Sequence, residues 1–406
     1  MLLRLASRNL WRQPVRTWLS ILTIALASAL LVFSLSFQLS FYGAMKESSL
    51  RVTDGFAQVQ PKGYQDDPDI RKTVGNANDL AARIARIPGI AAAPRGSAYA
   101  ILANGPRSFG AEVLGIDPAP DSELTTLHAK LSAGRWLRAG DSGALVMGDA
   151  LARNLGVSPG DKVSLVGSAA DGSIAADGLV LVGEFHSGIG DLDRQVAEIP
   201  LARFQETFAL GGKANVLLIG GRSLDAVDRA LPDLRRIANQ EGLEVKDWGE
   251  LEPALKQAIT LDFSTGMIWY VSLIAIVAFI VFNALLMAVL ERTREFGMLL
   301  AVGMRSESIA KMLWLELCLL ALVGNGAGIL LGGSVAYYFE RQGMTIGGLQ
   351  GVFADWGLPS RLFIHVTPAS LLAGPAAITG TIALAGGLLF ARRVRRIDPA
   401  AAMGGR

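Results

Sequence analysis

Residues 263–311 read FSTGMIWYVSLIAIVAFIVFNALLMAVLERTREFGMLLAVGMRSESIAK. No Asp, Glu, Lys or Arg falls between 263 and 290. As a helix rising about 1.5 Å per residue, an uncharged run of that length crosses the roughly 30 Å of hydrocarbon in a bilayer. At Glu291 the character changes. Glu291, Arg292, Arg294 and Glu295 are followed by Phe296, Met298, Leu299, Leu300 and Val302, before Gly303 breaks the run. A long apolar helix that ends in charge and resumes as a short amphipathic helix reads as a membrane span emerging into water. The composition agrees: 51% hydrophobic and 18% charged residues with a mean hydropathy of +0.38 are too apolar for an ordinary soluble chain of 406 residues.

Outward from this stretch lie three more runs of the same kind, at 17–45, 312–339 and 362–391, the second broken only by Glu316. The expected fold is therefore an α-helical membrane protein with four transmembrane helices, at 17–45, 263–290, 312–339 and 362–391. The long polar middle, 46–262, reads as an α+β domain outside the membrane. The net charge of +2 conceals a strong asymmetry. Arg4, Arg8, Arg12 and Arg16 precede the first span, Arg292, Arg294, Arg305 and Lys311 lie between the second and third, and Arg392, Arg393, Arg395, Arg396 and Arg406 close the chain. The short loop 340–361 holds only Arg341 and Arg361. Basic flanks stay in the cytoplasm, so both termini and the segment 291–311 are expected inside. The four-residue spacing of the first arginines describes an amphipathic helix over 1–16 on the inner membrane surface, and 392–406 is a cytoplasmic tail.

Within 46–262 the pattern is one of short elements with turn punctuation. Asn78 followed by 79–87 reads as a capped helix, 147–155 as a helix ended by Gly156, and 201–208 and 224–241 as further helices. Residues 109–116 and 215–219 read as strands, and 162–166 and 180–185 as a strand pair. The helix-compatible stretch after Pro253 extends the second span outward as a stalk, and the first span does the same past Phe41. A single cysteine, Cys318, excludes an internal disulfide framework and multi-cysteine metal sites and reads as an apolar filler. His128, His186 and His365 show no ligand spacing and read as surface or structural. No phosphate-binding G-x-x-x-x-G-K-[ST], nucleophile elbow or H-E-x-x-H occurs, so the sequence assigns no catalytic, metal or cofactor residue.

ERTREFGMLLAVGMR, together with RNLWRQPVRTWLSILTIALASALL at 8–31 and RRVRRIDPAAAM at 392–403, resembles the FtsX-like permeases, a family that includes MacB-type exporters and lipoprotein-releasing permeases. In the middle, GRWLRAGDSGALVMGDALARNLGVSPGDKVSL and LVGEFHSGIGDLDRQVAEIPL are similar to the MacB-like periplasmic domain, especially its lipoprotein-releasing branch. The resemblance implies an inner-membrane permease of a mechanotransmission transporter. In it, a cytoplasmic ATPase dimer that binds ATP and Mg drives two permease copies, identical or homologous, and nothing implies nucleic acid as a partner. Glu291, Arg292, Glu295, Phe296, Gly297, Leu299, Leu300, Gly303 and Met304 are then the candidate ATPase-coupling residues. With sixteen residues ahead of the first span, the nucleotide site is expected on a separate protein. The implied cargo is a lipoprotein, lipid or other hydrophobic compound. A periplasmic carrier is a further candidate partner, although the turn that corresponds to the family's carrier-gripping hairpin, GSAADGSIAADG at 167–178, is short and nearly free of large apolar residues. The alternative within the family is a non-transporting regulator of a periplasmic cell-wall hydrolase.

Gly324, Gly328 and Gly332 share a helix face and form a small-residue seam, either within the chain or between permease copies. Glu316, about one turn into the third span, reads as the partner of Lys311 or Arg305 ahead of a proton path.

Overall fold

The computed structural model describes residues 14–345 and 361–394. The expected surface helix at 1–16, the loop 340–361 and the tail 392–406 lie for the most part outside the described residues. In chain order the elements are α1 (Pro14–Leu50), β1 (Ala57–Pro61), α2 (Ala77–Ile84), β2 (Ile90–Asn104), β3 (Arg107–Ile116), α3 (Pro118–Leu124), β4 (Leu131–Gly134), β5 (Ala144–Gly148), α4 (Asp149–Leu155), β6 (Lys162–Ser168), β7 (Ile174–Phe185), α5 (Gly190–Gln195), β8 (Val196–Pro200), α6 (Leu201–Thr207), β9 (Val216–Gly221), α7 (Leu224–Gln240), β10 (Leu243–Asp247), α8 (Trp248–Leu251), α9 (Pro253–Glu291), α10 (Thr293–Ala301), α11 (Ser306–Gln342) and α12 (Pro368–Val394). They form two units, a helical one containing Ile259–Thr345 and the flanking terminal segments, and a mixed one over Ala44–Ala258.

Among the described residues, four helices, α1, α9, α11 and α12, are long and apolar enough to cross a membrane. α9 runs unbroken from Pro253, as the absence of any further proline up to Glu291 leads one to expect. In the helical unit Ile24, Leu31, Val277, Val281, Ile309, Leu313, Leu317, Leu320, Ile378 and Ile382 make the shared core. Much of the remaining surface is apolar: Trp269, Phe279, Leu322, Leu330 and Leu384 are all at least 68% exposed. An aqueous surface does not tolerate such a density of exposed large side chains.

The mixed unit is built on a ten-stranded sheet in the order β10-β1-β9-β2-β3-β8-β5-β7-β4, with β6 closing against β2 and β7. Most neighbours are antiparallel, but β3 pairs β8 and β5 pairs β7 in parallel. The β2–β3 hairpin turns through Gly105 and Pro106, with Asn104 opposite Arg107 and Gly105 at φ +58°, a conformation open to glycine at little cost. In the same pair Gly96 faces Gly115 and both lie under Phe204 of α6: a Cβ on either would come within 2.5 Å of that side chain. Two facing glycines thus make the seat for the aromatic, which lies tilted by 36° against Phe208 with centroids 4.5 Å apart within a core of Leu102, Val113, Leu145, Leu165, Leu181 and Ile199. A second core gathers Leu50, Phe56, Val59, Ile84, Leu217, Ile219, Val227 and Leu234 between the β10-β1-β9 end of the sheet and α2 and α7.

The local expectations for this unit meet four corrections. The stretch 167–178, read as a turn, is mostly strand: β6 runs to Ser168 and β7 starts at Ile174, so the pair forms between 162–168 and 174–180. Met147 and Gly148 are the last residues of β5, and the helix begins only at Asp149, because Ala144–Gly148 is buried on both faces between β7 and β8. The helix expected after Asn78 is Ala77–Ile84; its N-cap is Asn76, left-handed at φ 46° and making no side-chain cap bond. Asn215 lies just before β9, buried and fully used: its amide donates to Ile70 O at 3.1 Å and Lys72 O at 3.0 Å, and its carbonyl accepts from Ser97 N at 3.1 Å.

One charged cluster is sunk in this unit. Arg95 of β2 donates to the Asp121 carboxylate of α3 and to Thr53 O, with both side chains of the ion pair 5% exposed. Thr125 Oγ1 donates to Asp121 at 2.8 Å, and Glu198 of β8 is 1% exposed. Burial first, and then the charge of Asp121, push the Glu198 carboxyl up to about 8. Burial also raises the Asp54 carboxyl. Glu198 Oε2 and Arg95 Nε have no hydrogen-bond partner, so the cluster is not fully satisfied internally.

Candidate coupling segment

Within the helical unit, α9 passes into α10 through a single non-helical residue, Arg292, at φ −104° and ψ 11°. Arg292 Nε meets Glu295 at 3.2 Å, and its guanidinium lies 5.9 Å from the Phe296 ring centre. Phe296 is 1% exposed, in the same core as Val289, Ile309, Met312 and Leu313, and Gly297 beside it is buried as well. Leu300 and Met304 are partly buried against that core. The helix closes with the paired bonds of a Schellman turn, Met304 N to Leu299 O at 3.0 Å and Gly303 N to Leu300 O at 3.0 Å. Gly303 at φ +99° supplies the left-handed residue this motif requires.

The candidate coupling residues thus divide. Phe296, Gly297, Leu300 and Met304 turn toward the chain's own core and set the angle of the segment. Glu291, Glu295, Leu299 and Gly303 face out, and with them Met298 at 56% and Val302 at 86% exposure, two residues outside the set derived from the sequence. The amphipathic pattern showed that one face is apolar, but the 3.6-residue period cannot tell which of two apolar stripes meets the chain's own helices.

From α1, Arg16 approaches Glu291 to 3.6 Å and donates to Ala284 O, so the end of α1 is fastened to the end of α9 directly behind the segment. Arg16 also lies within electrostatic reach of Glu316.

The glycine seam lies against α1 of the same chain. A Cβ on Gly324 would sit 2.7 Å from Ile24 Cβ, on Gly328 2.3 Å from Ser28 Cβ, and on Gly332 2.5 Å from Ala29 O. At this crossing Ser28 Oγ donates to Asn325 Oδ1, and Asn325 Nδ2 donates to Pro375 O at 3.0 Å and Thr379 Oγ1 at 2.6 Å. One buried amide therefore joins α1, α11 and α12. Ser36 and Ser370 repeat the α1–α12 link at 2.9 Å. Toward the far end of α1, Tyr42 Oη donates to Asp262 at 2.5 Å, while Tyr270 Oη donates to Gln38 Oε1 at 2.7 Å, which ties α1 to α9. The arrangement is a bundle whose helices are cross-linked at several levels, carrying a short rigid segment with an apolar outer face.

Comparisons with known proteins give the arrangement a context. Residues 17–234 match the MacB-like periplasmic core domain, and residues 267–399 match the FtsX-like permease C-terminal family. The lipoprotein-releasing system transmembrane protein LolC of Neisseria meningitidis is 25% identical over 77% of this chain and 78% of its own length. A macrolide export ATP-binding/permease protein MacB of Photorhabdus laumondii is 33% identical over 38% of the chain, and there the chain spans only 21% of the relative's length. The extracellular domain of a noncanonic ABC-type transporter YknZ from Gram-positive bacteria aligns with 48% of the chain at 13% identity and a TM-score of 0.36.

Proposed function

We propose, because the chain belongs to the FtsX-like permeases that carry a MacB-like periplasmic core domain, that it is the membrane subunit of an ATP-driven transporter whose ATP hydrolysis takes place on a separate partner. On this reading α1, α9, α11 and α12 cross the inner membrane, both termini and α10 lie in the cytoplasm, and the mixed unit is periplasmic. The observation that carries the proposal is α10. It is a short helix pinned by Phe296, closed by Gly303 and presenting Met298, Leu299 and Val302 to solvent, the form of helix that docks into a groove on a partner.

Partner movement at α10 reaches α9 through one residue and α1 through the Arg16 contacts, so nucleotide-driven closure rocks these two helices. The cross-links Tyr42–Asp262 and Tyr270–Gln38 make them move as a pair. This favours force transmission over conduction of cargo through the bilayer core. A second permease copy covers the apolar flank of α9, whose most apolar window is only 19% buried within the chain. The cargo is a lipoprotein, lipid or other hydrophobic compound, a class supported by the extent of the match to LolC.

The test is co-purification of the detergent-solubilised chain with candidate ATPase subunits. Leu299→Asp and Val302→Asp should abolish the complex while leaving the bundle folded. Retention of the ATPase by both variants, or recovery of a cell-wall hydrolase in its place, would overturn the reading.

A further inference from the structure

The end of the β5–β7 pair holds a cluster that the transport reading does not use. These strands run parallel with Gly148 opposite Phe185, so the next residues, Asp149 and His186, emerge side by side at the carboxyl ends of two parallel strands. That is the position at which open α/β sheets gather ligands. From above, α5 brings Asp193 close over Gly148: a Cβ at 148 would stand 2.2 Å from Asp193 O. Glycine at 148 is what admits Asp193 to the strand end.

The side chains converge. His186 Nδ1 lies 3.3 Å from Asp149 Oδ2 and 3.3 Å from Asp193 Oδ2, and the three donor atoms fall within 4.8 Å of one another. Asp193 is 3% exposed, and its other oxygen accepts from Ser187 N at 2.7 Å. Its Oδ2 is therefore aimed at the imidazole from a buried position. Asp149 Oδ1 is buried and has no hydrogen-bond partner. A single imidazole N–H cannot serve two carboxylates. Nearby cations sit at the rim: Arg153 reaches the same Asp149 Oδ2 at 2.7 Å, from a 65% exposed position out of which an incoming ion displaces it, and Lys130 Nζ donates to Ser187 O at 2.6 Å.

We propose that Asp149, His186 and Asp193 form a divalent-cation site that takes a borderline transition ion of the Zn2+ class. One imidazole nitrogen and two carboxylates are a donor set that such ions accept, with bonds of about 2.0–2.2 Å reached by a small inward movement of each side chain. Ca2+ and Mg2+, which prefer all-oxygen shells, are disfavoured. His186 is 62% exposed, which gives the ion its entry path and leaves coordination positions open to water. Bound there, the ion clamps α5 to the ends of β5 and β7.

The experiment uses the full chain in detergent, purified without a histidine tag, stripped with chelator and titrated with ZnCl2. Bound metal is counted by equilibrium dialysis and elemental mass spectrometry. We expect one ion per chain at low micromolar concentration and a higher melting temperature in its presence. His186→Ala, a change at an exposed side chain, should weaken binding by at least about tenfold, since even loss of an outer-shell partner costs that much, and should remove the thermal shift. Asp193→Asn should do the same. His365→Ala, which removes the histidine 3.5 Å from Glu340, should bind as wild type. No binding by the wild type, binding indifferent to His186→Ala, or binding lost with His365→Ala would each overturn the proposal.

Discussion

The two units are held together by different means, and the contrast follows the solvent each is suited to. The mixed unit buries large side chains, with Phe204 and Phe208 seated over Gly96 and Gly115, and it accommodates one sunken ion cluster. The helical unit exposes many of its large side chains and brings small ones together at a crossing: Gly324, Gly328 and Gly332 against α1, with Asn325 joining three helices by hydrogen bonds. In water, apolar burial drives association. In hydrocarbon it provides no net drive between helices, and close backbone approach with interhelical hydrogen bonds takes over.

The contrast can be broken most forcefully at Arg95. Arg95→Met strands Asp121, Glu198 and Asp54 without a cation, and we expect a loss of about 3–5 kcal/mol, the usual cost of removing one member of a buried ion pair. Hydrogen exchange at β2 and β8 in the solubilised chain would report it. The same cluster carries a pH signature. The Glu198 carboxyl stands near 8 in the folded chain against 4.5 for the free group. The folded state therefore holds more protons than the unfolded one between these values, and stability falls as pH rises through that window. Glu198→Gln should flatten the fall; an unchanged slope would place its origin elsewhere.

In the helical unit the largest effect is expected from Gly328→Leu, which must displace Ser28 and should cost about 1–3 kcal/mol or more in detergent unfolding. Asn325→Leu keeps the number of heavy atoms and the branching and removes the bonds to Ser28, Pro375 and Thr379; about 0.6–2 kcal/mol is expected. A loss as large as that of Arg95→Met would mean that polar links dominate the bundle and small-residue packing is secondary. At the end of α10, Gly303→Ala should cost about 1 kcal/mol from forcing a side chain into the left-handed region, seen as faster exchange there.

Much of this was legible from one dimension. The four apolar helices follow from charge-free runs and the closing of α10 follows from Gly303, whereas β6 and β7 pair through 174–180, largely inside the stretch read as a turn, with only Val180 of the expected 180–185 facing β6. β5 and β8 were not legible. Both are buried on every residue, so they show no alternation; the five residues of β5 are all uncharged, those of β8 carry Glu198 at their centre, and neither run declares itself strand or helix. That ambiguity extended the helix ending at Gly156 back over Met147. The inward turn of Phe296 was hidden for a related reason: amphipathicity locates an apolar stripe, and only neighbouring helices decide which of its residues are covered.

The sequence by itself determined which segments are apolar, where charge interrupts them, and which family the short motifs resemble, because each of these depends on residues close together along the chain. Tertiary structure alone decided that Gly324, Gly328 and Gly332 meet α1, that Asn325 gathers three helices, and that Asp149, His186 and Asp193 converge at one strand end. Ser28 and Asn325 stand 297 positions apart, and the parallel pairing of β5 with β7 brings distant residues to one edge. Such meetings are set by how the chain closes on itself in space, and no local period encodes them.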